Sequence, residues 1–424
     1  MQHTINFGTG FQRFSGWEYL CIDVANHYGL DKELFNTRIQ WVYDHIDNLE
    51  TLADDADEPV LFKKAVMTLR RAQHGEAVGH VVHFDACCSG IQIMSALTGC
   101  EAGAYNTGMV DPNQRMDAYS NTTGEMNKIL QTKGLASITV PRGDVKQAVM
   151  TSGYGSKAVP KKVFGEGEML DVFYDAAMTI APGAFKLMDE LLESWRPFAL
   201  EHRLVAPDGF TAVIKVMETK ETRIEVDELD HATFTLQYRV NEGTERGRAN
   251  VANTIHFCDA YLLRGIERRC NYDPVVVRNA QEVLRMAALG YSCGNTQMAC
   301  TDELSELLPL CIRSHIADVA LLPLLRWDNV MCLPKWMVHK LLSIVNDMLS
   351  YKPFPILTVH DAFGAHANNC DLTRYWYKEI MADMADSNLL EMLMCQLYQI
   401  TDGKYEKLSP NLGDKIRNSN YALS

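Results

Sequence analysis

The stretch "HVVHFDACCSGIQIMSAL" (residues 80–97) places a carboxylate where an apolar strand ends and a helix begins. Alternation of apolar and polar residues predicts a strand over 80–88, with Val81, His83 and Asp85 on one face. Small residues follow and predict a turn, after which helical spacing begins at about Ser89. Asp85 therefore either caps this helix or faces solvent or a metal ion at the end of the strand.

A second carboxylate, Asp361, occupies a similar position near the end of the chain. The stretch "FPILTVHDAFGAH" (354–366) predicts strand, turn and strand, with Asp361 at the tip. A single Asp in a turn is common. Two on separate strands, however, can converge to hold a pair of Mg²⁺ ions, because hard cations prefer carboxylate oxygens. Such a pair, about 3.5–4 Å apart, stabilises the attacking and leaving oxygens of phosphoryl transfer.

A third segment, "PRGDVKQAVMTSGYGSK" (141–157), has cations and an aromatic ring at intervals of four residues. Arg142, Lys146, Met150 and Tyr154 would share one broad face of a helix, because each step of four drifts by only about 40°. This stripe suits a triphosphate with a sugar or base beyond it. The alternative is a basic surface helix whose Met and Tyr pack on the core. The glycines that flank Tyr154 favour the first interpretation, because they permit close approach of a ligand.

Composition limits the classes of protein that remain. The chain has 424 residues, 47% of them hydrophobic, and a net charge of −14. This predicts two or three domains, or one large multi-part domain, of the α+β class. The twelve cysteines form no CxxC pair, which indicates reduced thiols in a cytosol rather than a zinc site. There is no apolar run of membrane-spanning length and no secretory signal, so we expect no membrane partner.

Taken together, the three segments resemble the motifs of the single-subunit, phage-type and mitochondrial RNA polymerases. "DACCSGIQIMSA" resembles motif A, "RGDVKQAVMTSGYGS" motif B and "HDAFG" motif C. The resemblance implies an α+β right-hand polymerase with palm and fingers, an antiparallel palm sheet and many helices. Further patches resemble the same family: "IDVANHYGLDK" (22–32), "MDAYSNTTGEMNKIL" (116–130), "ANVANTIHFCDAYLLR" (249–264), with the sugar-contacting His, and the terminal "NYALS".

The resemblance implies a role for each matching residue of the chemical centre. Asp85 and Asp361 would bind two catalytic Mg²⁺ ions, with the backbone carbonyl of Ala86 as a further ligand. Arg142 and Lys146 would hold the phosphates of the incoming nucleotide, and Lys146 could donate a proton to the departing pyrophosphate. The family usually has Gly at the position of Ala86, so the turn must accept a Cβ here.

A second group of residues would select the sugar. Tyr154 would lie against the nucleotide and help to select ribose. Gly90 stands where related DNA polymerases of the bacterial Pol I type carry a Glu that blocks the 2′-hydroxyl, so its position favours RNA synthesis. Tyr119 and His256 match residues that line the nucleotide and sugar pocket, and His360 would lie near the RNA 3′ end.

The resemblance also implies a domain order and missing parts. Motif A begins only 84 residues into the chain, so the N-terminal half of the family fold is missing, and we expect a second polymerase subunit to supply it. This chain then resembles the larger, motif-bearing subunit of the two-chain RNA polymerase (RNA polymerase II) of N-four-type phages, in the cytoplasm of a bacterial host. The expected domains are the start of fingers and palm (1–110), fingers (111–202), a β-rich hairpin with the sugar-contacting segment (203–264), a helical insertion (265–350), and the palm with motif C and a C-terminal foot (351–424).

The expected partners are a DNA template, nascent RNA and rNTPs. The stretch equivalent to the promoter-reading hairpin, 215–247, has eight acids against five Lys or Arg. Base readout usually relies on Arg, Lys, Asn or Gln. We therefore expect duplex promoters to be read poorly, and a single-stranded-DNA-binding or promoter-opening helper to assist.

Three other interpretations remain open. A Pol I-type DNA polymerase is disfavoured by Gly90 and by the single acid of "HDA". A non-catalytic nucleic-acid-binding subunit is disfavoured because Asp85, Asp361, Lys146 and Tyr154 are retained together. A two-metal nuclease would not need a helix that binds phosphates and sugar.

Overall fold

The computed structural model describes residues 2–8, 13–135, 138–243, 248–290 and 302–424. These residues form many helices and three small antiparallel sheets, which confirms the predicted α+β class. The strands are β1 (Val81–Asp85), β2 (Glu201–Val205), β3 (Thr211–Lys215), β4 (Met217–Val226), β5 (Ala232–Gly243), β6 (Leu357–Val359) and β7 (Ala362–His366). The α-helices are α1 (Gly16–Ala25), α2 (Phe35–Asp44), α3 (Pro59–Gln73), α4 (Ser89–Thr98), α5 (Glu101–Asn106), α6 (Ala118–Thr132), α7 (Arg142–Ser152), α8 (Ala158–Phe164), α9 (Glu168–Ile180), α10 (Pro182–Glu193), α11 (Arg248–Cys270), α12 (Pro274–Ala288), α13 (Asp302–Ser314), α14 (Lys335–Met348), α15 (Cys370–Asp386), α16 (Leu389–Tyr398) and α17 (Leu412–Asn418).

The sheet that positions the site has the order β1–β7–β6 and is antiparallel throughout. Both predicted strand regions, 80–88 and 354–366, contribute to it. In the register of β1 and β7, Asp85 lies opposite Ala362. Since Ala362 directly follows Asp361, the two carboxylates reach the same end of the sheet although they are far apart in sequence.

One face of this sheet belongs to the hydrophobic core. Val82, Phe84 and Phe363 are almost completely buried, as the alternation along β1 predicts. On the other face, the ring of His83 lies against Gly364, where an added Cβ would come within 2.6 Å of the ring. The glycine of the "HDAFG" stretch therefore permits close packing between neighbouring strands.

A buried carboxylate connects α1 to the start of β1. Asp23 Oδ2 lies 2.6 Å from His80 Nε2, and Asp23 Oδ1 lies 3.6 Å from His27 Nε2. The other ring nitrogen of His27 lies 2.6 Å from a Glu58 carboxylate oxygen. Burial alone would lower the pKa of His27, but the hydrogen bonds and charges of Asp23 and Glu58 raise it above its usual value.

The proton on His27 should make stability depend on pH. The raised pKa of His27 stabilises the folded state fully at pH values below the pKa that His27 has in the unfolded chain, about 6.5. This stabilisation disappears as pH rises through the pKa of His27 in the folded state. We expect the free energy of unfolding of the wild type to fall by about 1 kcal/mol from pH 6 to pH 9, relative to His27→Gln. Urea unfolding at both pH values measures this difference.

The surface residue His74 offers a matched control for that measurement. It has no carboxylate within salt-bridge distance among the described residues, so His74→Gln should keep the wild-type pH dependence. Equal pH slopes for the wild type and His27→Gln would contradict the assigned role of His27.

After α10, β2 pairs with β3, and β4 pairs with β5 in a long hairpin. Helix α11 runs from Arg248 to Cys270, so the domain boundary predicted at residue 264 lies inside one helix. Part of the predicted insertion, 291–301, and part of the hairpin stretch, 244–247, lie outside the described residues. Within the described ranges, no helix combines the length and apolar character that a membrane crossing requires.

Candidate active site

The two predicted metal-binding carboxylates lie together in a cleft of about 420 Å³. Burial, followed by the negative charge of Asp361, raises the pKa of Asp85 to about 6, and the positive charge of Lys146 opposes this rise. The pair thus carries mutual repulsion that a divalent cation would remove. Carboxylate oxygens at the end of a sheet are donors of the kind that Mg²⁺ prefers, so these residues fit the ion that the sequence predicts.

The backbone supports both sides of this pair. His360, directly before Asp361, has φ of 55°, in the left-handed region that residues other than glycine seldom adopt. On the other side, Ala86 forms an antiparallel bridge with Leu423, and the Ser424 amide donates to the carbonyl oxygen of Asp85 at 3.1 Å. The segment that resembles a C-terminal foot therefore packs against motif A.

Asp85 does not cap the helix that follows it. The residue before α4 is Cys88, with φ of 61° and no side-chain hydrogen bond to the helix. The alternative role considered for Asp85 is thus wrong, and its carboxylate is left to face the cleft.

Helix α7 supplies the predicted cations but ends earlier than the four-residue spacing indicates. Arg142, Lys146 and Met150 lie on α7, whereas Tyr154 follows its last residue, Ser152. The chain leaves the helix because of the glycines on either side of Tyr154, of which Gly155 has φ of 80°. The predicted continuous helical stripe is therefore wrong, although Tyr154 still lines the same cleft.

Arg142 is already engaged by a carboxylate. Its Nε and Nη2 donate to one oxygen of Asp117 at 2.8 and 2.5 Å, and its Nε also donates to the Ser120 hydroxyl at 3.0 Å. Burial alone would raise the pKa of Asp117, but the hydrogen bonds from Ser120 and Arg142 lower it. A phosphate would have to share Arg142 with Asp117 or displace it.

Tyr119 lies within cation–π distance of both cations of α7. The guanidinium carbon of Arg142 is 5.6 Å from the centre of its ring, and the ammonium nitrogen of Lys146 is 5.8 Å away. Cations at this distance are attracted by the face of an aromatic ring. Tyr119 therefore positions both cations, in addition to lining the cleft as predicted.

The residues that the sequence predicts to select ribose also come together. The rings of Tyr154 and His256 are stacked, with centroids 5.2 Å apart and planes 18° from parallel. Burial raises the pKa of Tyr154, and the neighbouring Ser89 opposes this rise. A Cβ added to Gly90 would lie 3.3 Å from the hydroxyl end of the Tyr154 ring, so the absence of a side chain at Gly90 lets this ring approach α4 closely.

Sequence reasoning missed a third carboxylate near the pair. Asp259 lies three residues after His256 on α11, a spacing that places both on one side of a helix. Burial, followed by the charge of Asp361, raises the pKa of Asp259 to about 6, and His360 opposes this rise. The only sign of Asp259 in the sequence is the acid in "HFCDAY", three residues after the predicted His256. Arg115 and Lys32 also line the cleft without having been predicted.

Comparison with known proteins adds an independent finding. Residues 13–194 match the family model described as DNA-dependent RNA polymerase. The chain is 30% identical to the DNA-directed RNA polymerase of Pseudomonas phage phiKMV over 133 residues, which are 27% of this chain and 16% of that protein. It is 25% identical to the T7 RNA polymerase of Escherichia phage T7 over 197 residues, 42% of this chain and 22% of that protein. It is also 30% identical to a probable DNA-directed RNA polymerase of Neurospora crassa over 161 residues, 33% of this chain and 18% of that protein.

Each alignment covers only a limited part of this chain and of the related protein. Each aligned segment spans less than a quarter of the relative's own length. The matched range 13–194 includes Asp85, Lys146 and Tyr154, whereas Asp361 lies outside it. The position of Asp361 beside Asp85 therefore comes from the sheet register and not from the family match.

Proposed function

We infer that this chain, which is related to the phage-type single-subunit RNA polymerases, is a catalytic chain that extends RNA on a DNA template. The observation that carries this inference is the convergence of Asp85 and Asp361 in one cleft with Lys146 and Tyr154. Metal-binding acids alone would also suit a nuclease. The added cation and the stacked aromatic ring suit a nucleoside triphosphate.

In this proposal each residue of the cleft has a separate task. Asp85 and Asp361, with the carbonyl oxygen of Ala86, would hold two Mg²⁺ ions, which when bound supply positive charge for the attacking and leaving oxygens. Lys146, which lines the same cleft, would attract the phosphates and could give a proton to pyrophosphate. His360 would contact the RNA 3′ end, next to Asp361. Phosphoryl transfer depends mainly on such positioning and charge stabilisation.

Selection of ribose would fall to the other end of the cleft. The Tyr154 hydroxyl, its ring held by the stack on His256, can form a hydrogen bond with a sugar hydroxyl. Gly90 lines the same cleft and brings no side chain into it, and even one added carbon would contact the Tyr154 ring. This arrangement favours ribonucleotides over the deoxyribonucleotides of a Pol I-type DNA polymerase.

Extension of a labelled RNA primer on a DNA template, with Mg²⁺ and either rNTPs or dNTPs, tests the proposal. Template-dependent extension with rNTPs is the expected result. Shortening of the primer would indicate a nuclease, and preferential use of dNTPs would indicate a DNA polymerase. Tight binding of the primed template without any reaction, under all these conditions, would favour a non-catalytic subunit.

We further propose that a second polypeptide completes the enzyme, as in the two-chain RNA polymerases of N-four-type phages. The acidic side chains of the β4–β5 hairpin support a need for help with duplex DNA, because base readout relies mainly on Arg, Lys, Asn and Gln. Extension at full rate by the purified chain alone would contradict the requirement for a partner. Strong sequence-specific initiation on linear duplex DNA would contradict the need for a helper.

A further inference from the structure

Arg115 is a cation in the cleft to which neither the sequence motifs nor the proposed mechanism give a task. It lines the same cleft as Asp85, Lys146 and Asp361. Arg115 as a whole is half-buried. Its Nε atom, however, is buried and has no hydrogen-bond partner among the described residues. A buried donor without an acceptor costs stability, and an anionic ligand in the cleft would supply the missing acceptor.

The other cations of the cleft show how unusual this is. Arg142 is held by Asp117 through two hydrogen bonds to one oxygen, and Lys32 lies 3.7 Å from the carboxylate of the preceding residue. Within the described parts of the chain, Arg115 and Lys146 have no carboxylate within salt-bridge distance. These two cations are therefore the ones available to an anion that enters the cleft.

The surroundings of Arg115 add to the positive potential at that end. The charge of Arg115 acts on the neighbouring Arg38, and this repulsion, after burial, lowers the pKa of Arg38 to about 9. Arg38 itself donates to neutral oxygens, namely the carbonyls of Glu33 and Asp31 and the amide oxygen of Asn26. No carboxylate among the described residues offsets either guanidinium by direct pairing.

The position of Arg115 identifies which part of a nucleotide it would meet. Burial raises the pKa of Cys87 and the nearby charge of Arg115 opposes this rise, whereas Tyr154 lies against Gly90 in the first turn of α4. The segment from Cys87 to Gly90 thus has a cation near its start and an aromatic ring beside its end. A nucleoside triphosphate has matching ends, because its sugar and base suit the ring and its terminal phosphates suit the cation.

We propose that Arg115 binds the terminal phosphates of the incoming nucleoside triphosphate and, with Lys146, does the work that the motif assigns to Arg142. The inference rests on the proposed function for its substrate. Arg142, held by Asp117, instead fixes α7 against α6. A guanidinium suits this task because its planar donors can bind two phosphate oxygens at once.

Titration calorimetry on the full chain tests the inference without any turnover. With Mg²⁺ and no primer, Arg115→Gln should weaken binding of ATP and of inorganic tripolyphosphate by about tenfold or more, while binding of AMP changes by less than about threefold. Arg115→Lys keeps the charge but loses the Nε donor, so it should fall between Gln and the wild type. Arg278→Gln, an exposed Arg outside the cleft, should match the wild type.

Two further measurements separate binding from folding and from catalysis. Because Arg115 has an unsatisfied buried donor, Arg115→Gln should melt no lower than the wild type. On a primed template, it should raise KM for rNTPs about tenfold and change kcat by less than about threefold. Equal losses for ATP and AMP, or no loss for either, would overturn the inference.

The same experiments distinguish this inference from the proposed function. If the wild type extends primers and Arg115→Gln has the wild-type KM, Arg115 has no phosphate role, although the function stands. If the wild type does not extend primers under any condition but loses tripolyphosphate binding on Arg115→Gln, the phosphate site stands and the proposed function does not.

Discussion

Asp361→Asn should reduce the rate of nucleotide addition by about 1,000-fold or more, equivalent to about 4 kcal/mol of transition-state stabilisation. The substitution keeps the size of the side chain but removes the charge with which Asp361 and Asp85 would hold two divalent ions. Template binding should change by less than about threefold, because the sheet and the cationic residues stay in place. Single-nucleotide extension under saturating rNTP, together with template titration, measures both effects.

A second readout of the same variant does not depend on activity. The charge of Asp361 raises the pKa of Asp85, so its removal relieves repulsion in the metal-free protein. Asp361→Asn should therefore melt slightly higher than the wild type without Mg²⁺, and it should lose the increase in melting temperature that Mg²⁺ gives the wild type. A variant that remained active, or that kept the full stabilisation by Mg²⁺, would show that Asp361 is not a metal ligand.

Asp175→Asn offers a matched control for Asp361→Asn. Asp175 is an exposed residue of α9 and does not line the cleft. Its substitution removes the same charge from the chain, so any general effect of net charge on template binding should appear equally in both variants. Only Asp361→Asn should lose the response to Mg²⁺.

Local pattern was sufficient to predict the elements that carry the carboxylates. Alternation along "HVVHFDA" predicted β1, and the apolar residues around "HDAFG" predicted a pair of strands. The hairpin and the sheet register then bring Asp361 next to Asp85. Local pattern alone left other roles open for both residues, and it was the resemblance to a polymerase family that joined the two strands into one site.

Contacts between separate helices could not be predicted in the same way. Arg142 and Asp117 are 25 residues apart, and their pairing depends on how α6 packs against α7. A helical period shows which face a residue occupies but not which neighbour that face meets. The same limit explains why Asp259 and Arg115 were missed, since each reaches the site through the packing of its own segment.

The helical stripe predicted from the four-residue spacing stops before Tyr154 for a different reason. Steps of four residues predict a stripe only while the helix continues, and the chain leaves α7 at Gly153. A left-handed residue just past the last turn, most often glycine, is a common end of a helix, and Gly155 is such a residue here. The glycines that predict close approach of a ligand also end the helix and turn Tyr154 towards His256.

Gly90→Glu should reduce kcat/KM for ribonucleotides by about 100-fold or more, equivalent to about 3 kcal/mol. The first carbon of the new side chain would already lie 3.3 Å from the Tyr154 hydroxyl end, so the carboxylate must extend into the space proposed for the ribose. Incorporation of rNTPs and dNTPs with the same base, opposite the same template position, measures the loss. The loss should be larger for the rNTP, because only the ribose carries the 2′-hydroxyl that needs this space.

Two further substitutions at Gly90 separate the effects of size and charge. Gly90→Gln has nearly the size of Glu without its charge, so it should keep most of the discrimination against rNTPs if steric exclusion dominates. Gly90→Ala requires the Tyr154 ring to move by only a few tenths of an ångström and should cost less than about fivefold. Since Gly90 lies in α4 with ordinary helical geometry, neither change should lower the melting temperature through backbone strain. If Gly90→Glu used rNTPs within tenfold of the wild type, the ribose would have to bind away from Gly90, and the stack of Tyr154 on His256 would lose its proposed role in sugar selection.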